Sequence, residues 1–564
     1  MGIDPIRPFG RHTGPMIDGS EHPAGALALI QDYEAGVDQA SRRAGGVHYT
    51  PPGLANLVAA AAIDTATASL GHLPRSICDP TCGAGAFLVA CADVLVARGV
   101  DPAQVPGRLH GGDRDGAAVQ VARRVLQRWA EDHGVGDGAL RAAPRLHVGD
   151  TSAMRADEWP GRPPGGFDVV VGNPPFLSQL SRATARGAAE REAVRRRFGD
   201  VGAYADTAAL FLLGSIDLVV AGGVVAMVQP QSFLAARDTA AVREALLEHS
   251  QLRMLWASDE LLFDAAVHVC VPVLERRPLG TDPTPVEVRW RGGEPGVDAA
   301  LPRRAAPPVG GASWGALLAG HLGLPAVAPH GGRRLGELAT ATAGFRDEFY
   351  ALCAAARESE QLDDPGVPRL VTVGMIAPGR CTWGEQTRRL GGRSMLAPLL
   401  DVGELEREAP KVARWVEARR VPKVLVATQT RIVEAVADPE GLAVPVTPTI
   451  SVEARPGCDL DVWWLTAALL APSVSATALA AHLGAGRSPG ALRWSARQVL
   501  EVELPLHLDR WREGAALVRE LTNAASHARG GVLRRLGEAM CAAHGIEDVE
   551  LLEWWFERAC RASS

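Results

Sequence analysis

The chain has 564 residues, 47% apolar and 22% charged, which excludes a disordered or fibrous protein and calls for at least two sizeable domains. A net charge of −7 excludes a uniformly basic nucleic-acid coat, although positive charge gathered in one cleft remains compatible with it. Nine cysteines without a Cys-x-x-Cys pair or zinc-type spacing exclude a ribbon-like metal site and read as reduced, cytosolic thiols.

Residues 1–44 are charged, rich in Gly and Pro and without a signal-peptide pattern, so they read as a loosely docked lead-in. A first domain is expected over 45–280. Within it, Ser76 to Phe87 predicts a strand, an acidic tip at Asp79, a turn containing Thr81, Cys82, Gly83 and Gly85, then a helix from about Phe87 to Arg98. The glycines permit positive φ and close backbone approach, and Asp79 sets a carboxylate where a cationic amino-acid group fits. The loop has neither the third Gly of the dinucleotide pattern nor a phosphate-cradling Lys, and alone it reads as a tight turn.

The next strand, Gly107 to Gly112, ends in Asp113-Arg114-Asp115. A carboxylate at this point of a βαβ unit holds ribose hydroxyls. A third strand, Leu146 to Gly149, ends in Asp150, placed to accept from an adenine amino group. Taken singly, each aspartate reads as a helix N-cap. Several strand ends with polar tips in this order argue for a shared site.

The Val-rich run Phe167 to Gly172 predicts a buried parallel strand, and Asn173-Pro174-Pro175-Phe176 follows it directly. Two prolines stop any helix and stiffen the chain. The Asn173 side chain and the Pro174 carbonyl are thereby held at the carboxyl end of a strand, where open α/β sheets bind ligands. Two such acceptors suit an exocyclic amino group, and Phe176 offers a flat face for the ring carrying it. Without the upstream pattern the same residues would be only a strand-to-loop turn.

Beyond Phe176, an arginine-rich stretch from 181 to 198 includes Arg195 and Arg196 and reads either as a phosphate-facing helix or as a solvated face. A helix is expected from Asp206 to Ala221 and a strand from Gly223 to Val228. Another helix, Ala240 to His249, leads to the partner of that strand, Leu252 to Trp256. Phe263 precedes a buried strand over 267–274 and by itself reads as a core residue. The most apolar span, 208–228, carries Asp217 and glycines, so no membrane helix is expected there. Residues 281–332, rich in Pro and Gly, read as a linker containing a strand near Val286 to Trp290. A mixed domain is expected over 333–507, and three helices over 508–564, with Trp554-Trp555-Phe556 read as packing.

These motifs resemble the N6-adenine DNA methyltransferases in which a target-recognition domain follows the catalytic domain. The segment Gly46 to Pro52 is similar to that family's amino-terminal cofactor motif, which brings Tyr49 and Thr50 into the cofactor site. Asp79, Thr81, Cys82, Gly83, Gly85 and Phe87 match its S-adenosylmethionine loop. Asp113 with Arg114 matches the ribose-binding acid, Asp150 the adenine contact, and Asn173-Pro174-Pro175-Phe176 the catalytic tetrapeptide, with Phe in place of the commoner Tyr. The resemblance covers about residues 44–275 and is weaker over 333–505, where Leu335-Gly336-Glu337-Leu338 and Pro422 to Val426 resemble phrases of recognition domains.

The resemblance implies an α/β fold: a doubly wound, Rossmann-like methyltransferase sheet, a C-terminal mixed α/β recognition domain and a helical tail. It implies S-adenosyl-L-methionine as cofactor, double-stranded DNA as partner, no metal, no membrane, and a cytoplasmic enzyme of restriction-modification or phage defence, with room for a separate restriction or defence subunit. A flipped adenine would stack on Phe176, with Phe263 as the second aromatic wall. Arg195, Arg196, Arg380, Arg388, Lys423 and Arg431 are the expected DNA contacts. Two alternatives stand beside this reading: methylation of an amide or amino group in protein or RNA, and a non-catalytic DNA-binding subunit. The large carboxyl-terminal region argues against the first, and the presence of Asp79, Asp113, Asp150 and Asn173 against the second.

Overall fold

The computed structural model describes residues 24–36, 50–136, 142–152, 154–176, 187–202, 205–262, 267–277, 282–291, 302–359, 366–483 and 492–563. The chain divides into two compact units. One comprises Met1–Pro230, Asp238–Arg289 and Arg304–Gly311; the other comprises Gln231–Arg237, Trp290–Arg303 and Ala312–Ser564.

The first unit is built on a twisted, mostly parallel sheet. In chain order its elements are α1 (Ala24–Gly36), α2 (Pro52–Leu70), β1 (Ile77–Asp79), α3 (Ala86–Ala97), β2 (Leu109–Asp113), α4 (Gly116–Asp132), β3 (Arg145–Val148) and β4 (Phe167–Gly172). There follow α5 (Ala188–Phe198), α6 (Thr207–Ile216), β5 (Val219–Met227), α7 (Ala240–His249), β6 (Ser250–Ser258), β7 (Val269–Arg276), β8 (Val286–Arg291) and β9 (Arg303–Ala305). The strand order is β9-β8-β6-β7-β5-β4-β1-β2-β3. Strands β3, β2, β1, β4 and β5 run parallel, whereas β7 is antiparallel to both β5 and β6. Every residue of β4 is buried, as a central strand covered on both faces requires. The expected doubly wound sheet is the sheet found.

Several local expectations are corrected. The lead-in contains a docked helix: Ala26 and Ile30 of α1 are 3% and 1% exposed, with Leu27 and Tyr33 packed on the same core. Their near-helical spacing was the available signal. The helix expected from Asp206 to Ala221 ends at Ile216, because Val219 and Val220 enter β5 and Gly222 turns with φ 80°. β6 is not the partner of β5; β7 lies between them, and its almost wholly buried side chains gain a neighbour on each edge. The strand expected near Val286 to Trp290 is β8, and the stretch read as linker also supplies the edge strand β9. The longest apolar helix is α2 rather than the 208–228 span. It is long and apolar enough to cross a membrane, but Leu54, Val58, Ala62, Ile63 and Ala66 are buried in this core.

The second unit carries a four-stranded antiparallel sheet with the order Ala339–Ala343, Ile450–Ala454, Lys423–Val426, Ala435–Asp438. A second, mixed sheet orders Ala356–Glu358, Pro398–Leu400, Arg369–Val371 and Ala443–Pro445. Helices α8 (Leu508–Asn523), α9 (Ser526–Ala543) and α10 (Val549–Ser563) close the chain. They brace this unit: Trp511 donates its indole N–H to the Trp464 carbonyl at 2.8 Å, and Thr522 donates to Gly379 at 3.1 Å. Trp554 and Trp555 are buried, so that pair packs as expected.

Candidate active site at the strand ends

Parallel pairing places the polar strand tips side by side. Asp79 is in register with Gly111, and Val148 with Asp113, while Cys78 pairs with Val170. Asp79, Asp113, Asp150 and Asn173 therefore stand at one edge, each at or just beyond the carboxyl end of its strand, where such sheets bind ligands.

The loop after β1 is held by backbone bonds. Cys82 N–H donates to the Gly112 carbonyl at 3.0 Å, Gly83 N–H donates to Asp113 Oδ2 at 2.9 Å, and Thr151 Oγ1 donates to the Pro80 carbonyl at 2.6 Å. Gly85 has φ 97° and begins α3; a Cβ there would sit 3.3 Å from Ala122 Cβ. Asp79 is 1% exposed and accepts from the backbone N–H and hydroxyl of Thr81. Burial raises its pKa to about 7, with the nearby Asp113 adding to the rise and the Thr81 backbone bond opposing it. No cation appears among those influences.

The helix-cap alternative fails for these aspartates. The cap of α4 is Asp115, which accepts from Ala117 and Ala118, and which also accepts from the Tyr33 hydroxyl of α1 at 2.9 Å. Asp113 instead ties the glycine loop to the start of that helix by accepting from Gly83 and Asp115 N–H groups. Asp150 is exposed and accepts from Ser152 N–H, while Arg114 points to solvent. Phe87 is 3% exposed and belongs to the hydrophobic core of this unit.

At the end of β4, Asn173 Nδ2 donates to Thr50 Oγ1 at 3.0 Å. Thr50 is buried just before α2, so the amino-terminal motif orients the Asn173 amide. Pro174 is buried, Pro175 is half-buried, and Phe176 packs part of its ring against the core. Gly172 is a contact that the sequence reading missed. A Cβ there would lie 2.8 Å from Asp79 Oδ1 and 3.0 Å from Thr81 Oγ1. The β4 end and the Asp79 loop are thus in van der Waals contact, and only glycine allows it. Tyr49 and Phe263 lie outside the described residues.

The expected DNA contacts are not equivalent. Arg195 and Arg196 lie on the exposed face of α5, whereas Arg197 turns inward and donates to the Gly214 carbonyl. Arg431 is exposed. Arg380 pairs with Glu385, and Arg388 donates to the Gly374 carbonyl and to Gln386. Lys423 is wrong as a phosphate contact: it is fully buried and pairs with its cross-strand partner Asp438 at 2.6 Å. Burial lowers its pKa, with Asp438 opposing the shift. The apolar residues Val424, Leu425 and Val426 beside it are buried with it in the sheet.

Residues 145–263 match the family model described as "Eco57I restriction-modification methylase". That span contains β3, β4 and the Asn173–Phe176 segment, so the match falls on the strand-end site itself. Over this span the chain is similar to the restriction-modification methylases. A curated relative, the Type II methyltransferase M.VspI of Vibrio sp. (strain 343), is 24% identical over 239 residues, or 42% of this chain. The match spans about half of that relative, 48% of its length. Among solved structures, the Type IIL restriction-modification enzyme MmeI in complex with DNA matches over 96% of this chain and 77% of its own, at 12% identity and a TM-score of 0.55. The DrdV-DNA complex matches over 88% of this chain and 59% of its own, at 12% identity and a TM-score of 0.50. At such identities these two likenesses concern the fold alone.

Proposed function

We propose that this chain is a site-specific DNA methyltransferase that moves the methyl group of S-adenosyl-L-methionine to N6 of a flipped-out adenine. The observation that carries the reading is the Asn173 amide held by Thr50 at the end of β4, in contact through Gly172 with the buried Asp79 loop.

The cofactor fits the residues present. The buried Asp79 carboxylate, whose pKa is raised to about 7 with no cation among its influences, suits an α-ammonium group. The Asp113 carboxylate at the end of β2 suits ribose hydroxyls, the exposed Asp150 an adenine amino group, and the glycine turn leaves room for close approach. When bound, S-adenosylmethionine supplies a methyl group activated by its sulfonium.

The chain's own residues then do the rest. Thr50 takes one N–H of the Asn173 amide and so orients its Oδ1 as an acceptor. Asn173 Oδ1 and the Pro174 carbonyl draw the two amino hydrogens of adenine, which favours a pyramidal nitrogen and frees its lone pair. Phe176 stacks the base. Catalysis rests on positioning and on exclusion of water. A base within a duplex cannot reach a pocket recessed at a sheet edge, so it must leave the stack. DNA is present in the complexes of the two fold relatives, which supports DNA as the substrate here.

The decisive experiment is transfer of labelled methyl from S-adenosylmethionine to unmethylated duplex DNA, with the modified bases mapped. N6-methyladenine in one recurring sequence is the expected result. Label in RNA or in added protein, with DNA unlabelled, would overturn it. Asn173→Ala should lower the transfer rate by about 10²–10³-fold, the scale for losing one preorganised polar contact, while cofactor affinity stays nearly unchanged. Parallel loss of both would assign Asn173 a folding role.

A further inference from the structure

A separate cavity of about 490 Å³ lies in the second unit, between the 374–388 segment and helices α9 and α10. Its volume is ordinary for a small-ligand site. Three guanidinium groups line it, those of Arg380, Arg388 and Arg529, with Glu385 as the one lining carboxylate. Glu385 pairs with Arg380, so the lining keeps an excess of two positive charges. Ser526, Arg529, Gly530 and Leu533, at spacings of three and four along α9, present one face of that helix to the cavity.

Two features of α9 call for an anion. The first is its start. Ala525 occupies the N-cap and makes no side-chain cap bond; Ala528 N–H donates to the Ala525 carbonyl, and the amides of Ser526 and His527 ahead of it have no side-chain cap. The second is Arg529. It lies in that same opening turn, at the positive end of the helix dipole, where a cation is unfavourable. It is 8% exposed, donates from Nη2 to the Ala524 carbonyl at 3.2 Å, and its buried Nε has no hydrogen-bond partner. Burial pushes its pKa below the ordinary value and Arg380 pushes it further, with Glu385 opposing the shift. Glu385, the carboxylate facing this guanidinium, is already paired with Arg380, so a buried cation at a helix start favours a further negative group here.

We propose that this cavity binds a phosphoryl group. Helix N-termini and clustered guanidinium groups recognise that chemistry together, the first through backbone N–H groups and the second through charge-assisted bonds. The phosphoryl group has two possible sources, a backbone phosphate of DNA or a free phosphorylated ligand of nucleotide size. The inference does not depend on methyl transfer, because the cavity shares no residue with the strand-end site.

The test is calorimetric titration of the full chain with inorganic pyrophosphate at low ionic strength, without cofactor or DNA. Saturable binding is expected, weakened about tenfold or more by Arg529→Gln, which removes charge-assisted bonds from a buried position. Arg388→Gln, at a partly exposed position, should also weaken it and serves if the first variant fails to fold. Absence of saturable binding, or affinity unchanged in the folded variants, would overturn the proposal. A duplex oligonucleotide that displaces pyrophosphate identifies the source as DNA phosphate; a duplex that leaves it bound identifies a free phosphorylated ligand.

Discussion

The carboxyl edge of the large sheet and the 333–507 region treat charge in opposite ways. At the sheet edge, Asp79 is buried with no cation among its influences, and Asp113 is engaged by backbone N–H groups of a neighbouring loop. In the second region the sheet cation Lys423 is answered within its own unit by Asp438. A site awaiting a ligand leaves charge unanswered, whereas a scaffold answers it. The difference teaches that residue type alone, an Asp here or a Lys there, does not mark function. What marks it is whether the fold has already neutralised the group.

The strongest way to break that comparison is at Lys423. Lys423→Ala should destabilise the protein by about 3–5 kcal/mol, because it strands Asp438 as an unpaired charge with little access to water. Equilibrium denaturation would measure it. A variant of normal stability with weakened DNA binding would restore Lys423 as a phosphate contact and undo the contrast.

Gly172→Ala sharpens the other side. Its Cβ would crowd Asp79 and Thr81, so a loss of about 1–3 kcal/mol in stability and a fall in cofactor affinity are expected together. If both quantities were unchanged, the β4 end and the Asp79 loop would not be coupled.

Asp79 also makes a prediction about pH. Its pKa is about 7 in the folded protein, above that of an exposed aspartate, so the native state holds the proton more tightly. The associated stability is fully present below the unfolded-state pKa, near 4, and is lost as pH rises toward 7. Binding of an ammonium group favours the ionised form. Cofactor affinity should therefore rise with pH by up to about tenfold per unit below pH 7, then level off. In Asp79→Asn this rise should vanish. A slope that persists in that variant would assign the titration to another group.

The smallest effect is expected at Arg431, which is exposed. Arg431→Ala should alter stability by no more than about 0.5 kcal/mol. If it meets a phosphate, its loss should reduce the salt slope of DNA binding by about 1. An unchanged slope would remove it from the DNA face.

Much of the strand-end site is legible in the chain because parallel strands convert order into place. Each βα crossover returns the chain to the same edge, so the polar residue ending one strand stands beside the residue ending the next. Asp79, Asp113, Asp150 and Asn173 are readable for that reason, as are β4 and the three closing helices, whose periodicities are strong. The 333–507 region is less legible because its strands are short and antiparallel or mixed, and its sheets join segments far apart in sequence. Ala356–Glu358, for instance, pairs with Pro398–Leu400.

By itself the sequence determined the sheet, the glycine turn after β1 and the rigid Asn-Pro-Pro-Phe end of β4, since backbone sterics and hydrophobic period are local properties. Only the tertiary structure decided what those groups touch. It set Thr50 on the Asn173 amide across 123 positions, placed β7 between β5 and β6, and docked α1 on the core. It also turned Lys423 inward and gathered Arg380, Arg388 and Arg529 around one cavity. Burial and charge pairing depend on distances between residues remote in the chain, and those distances exist only once the chain has folded.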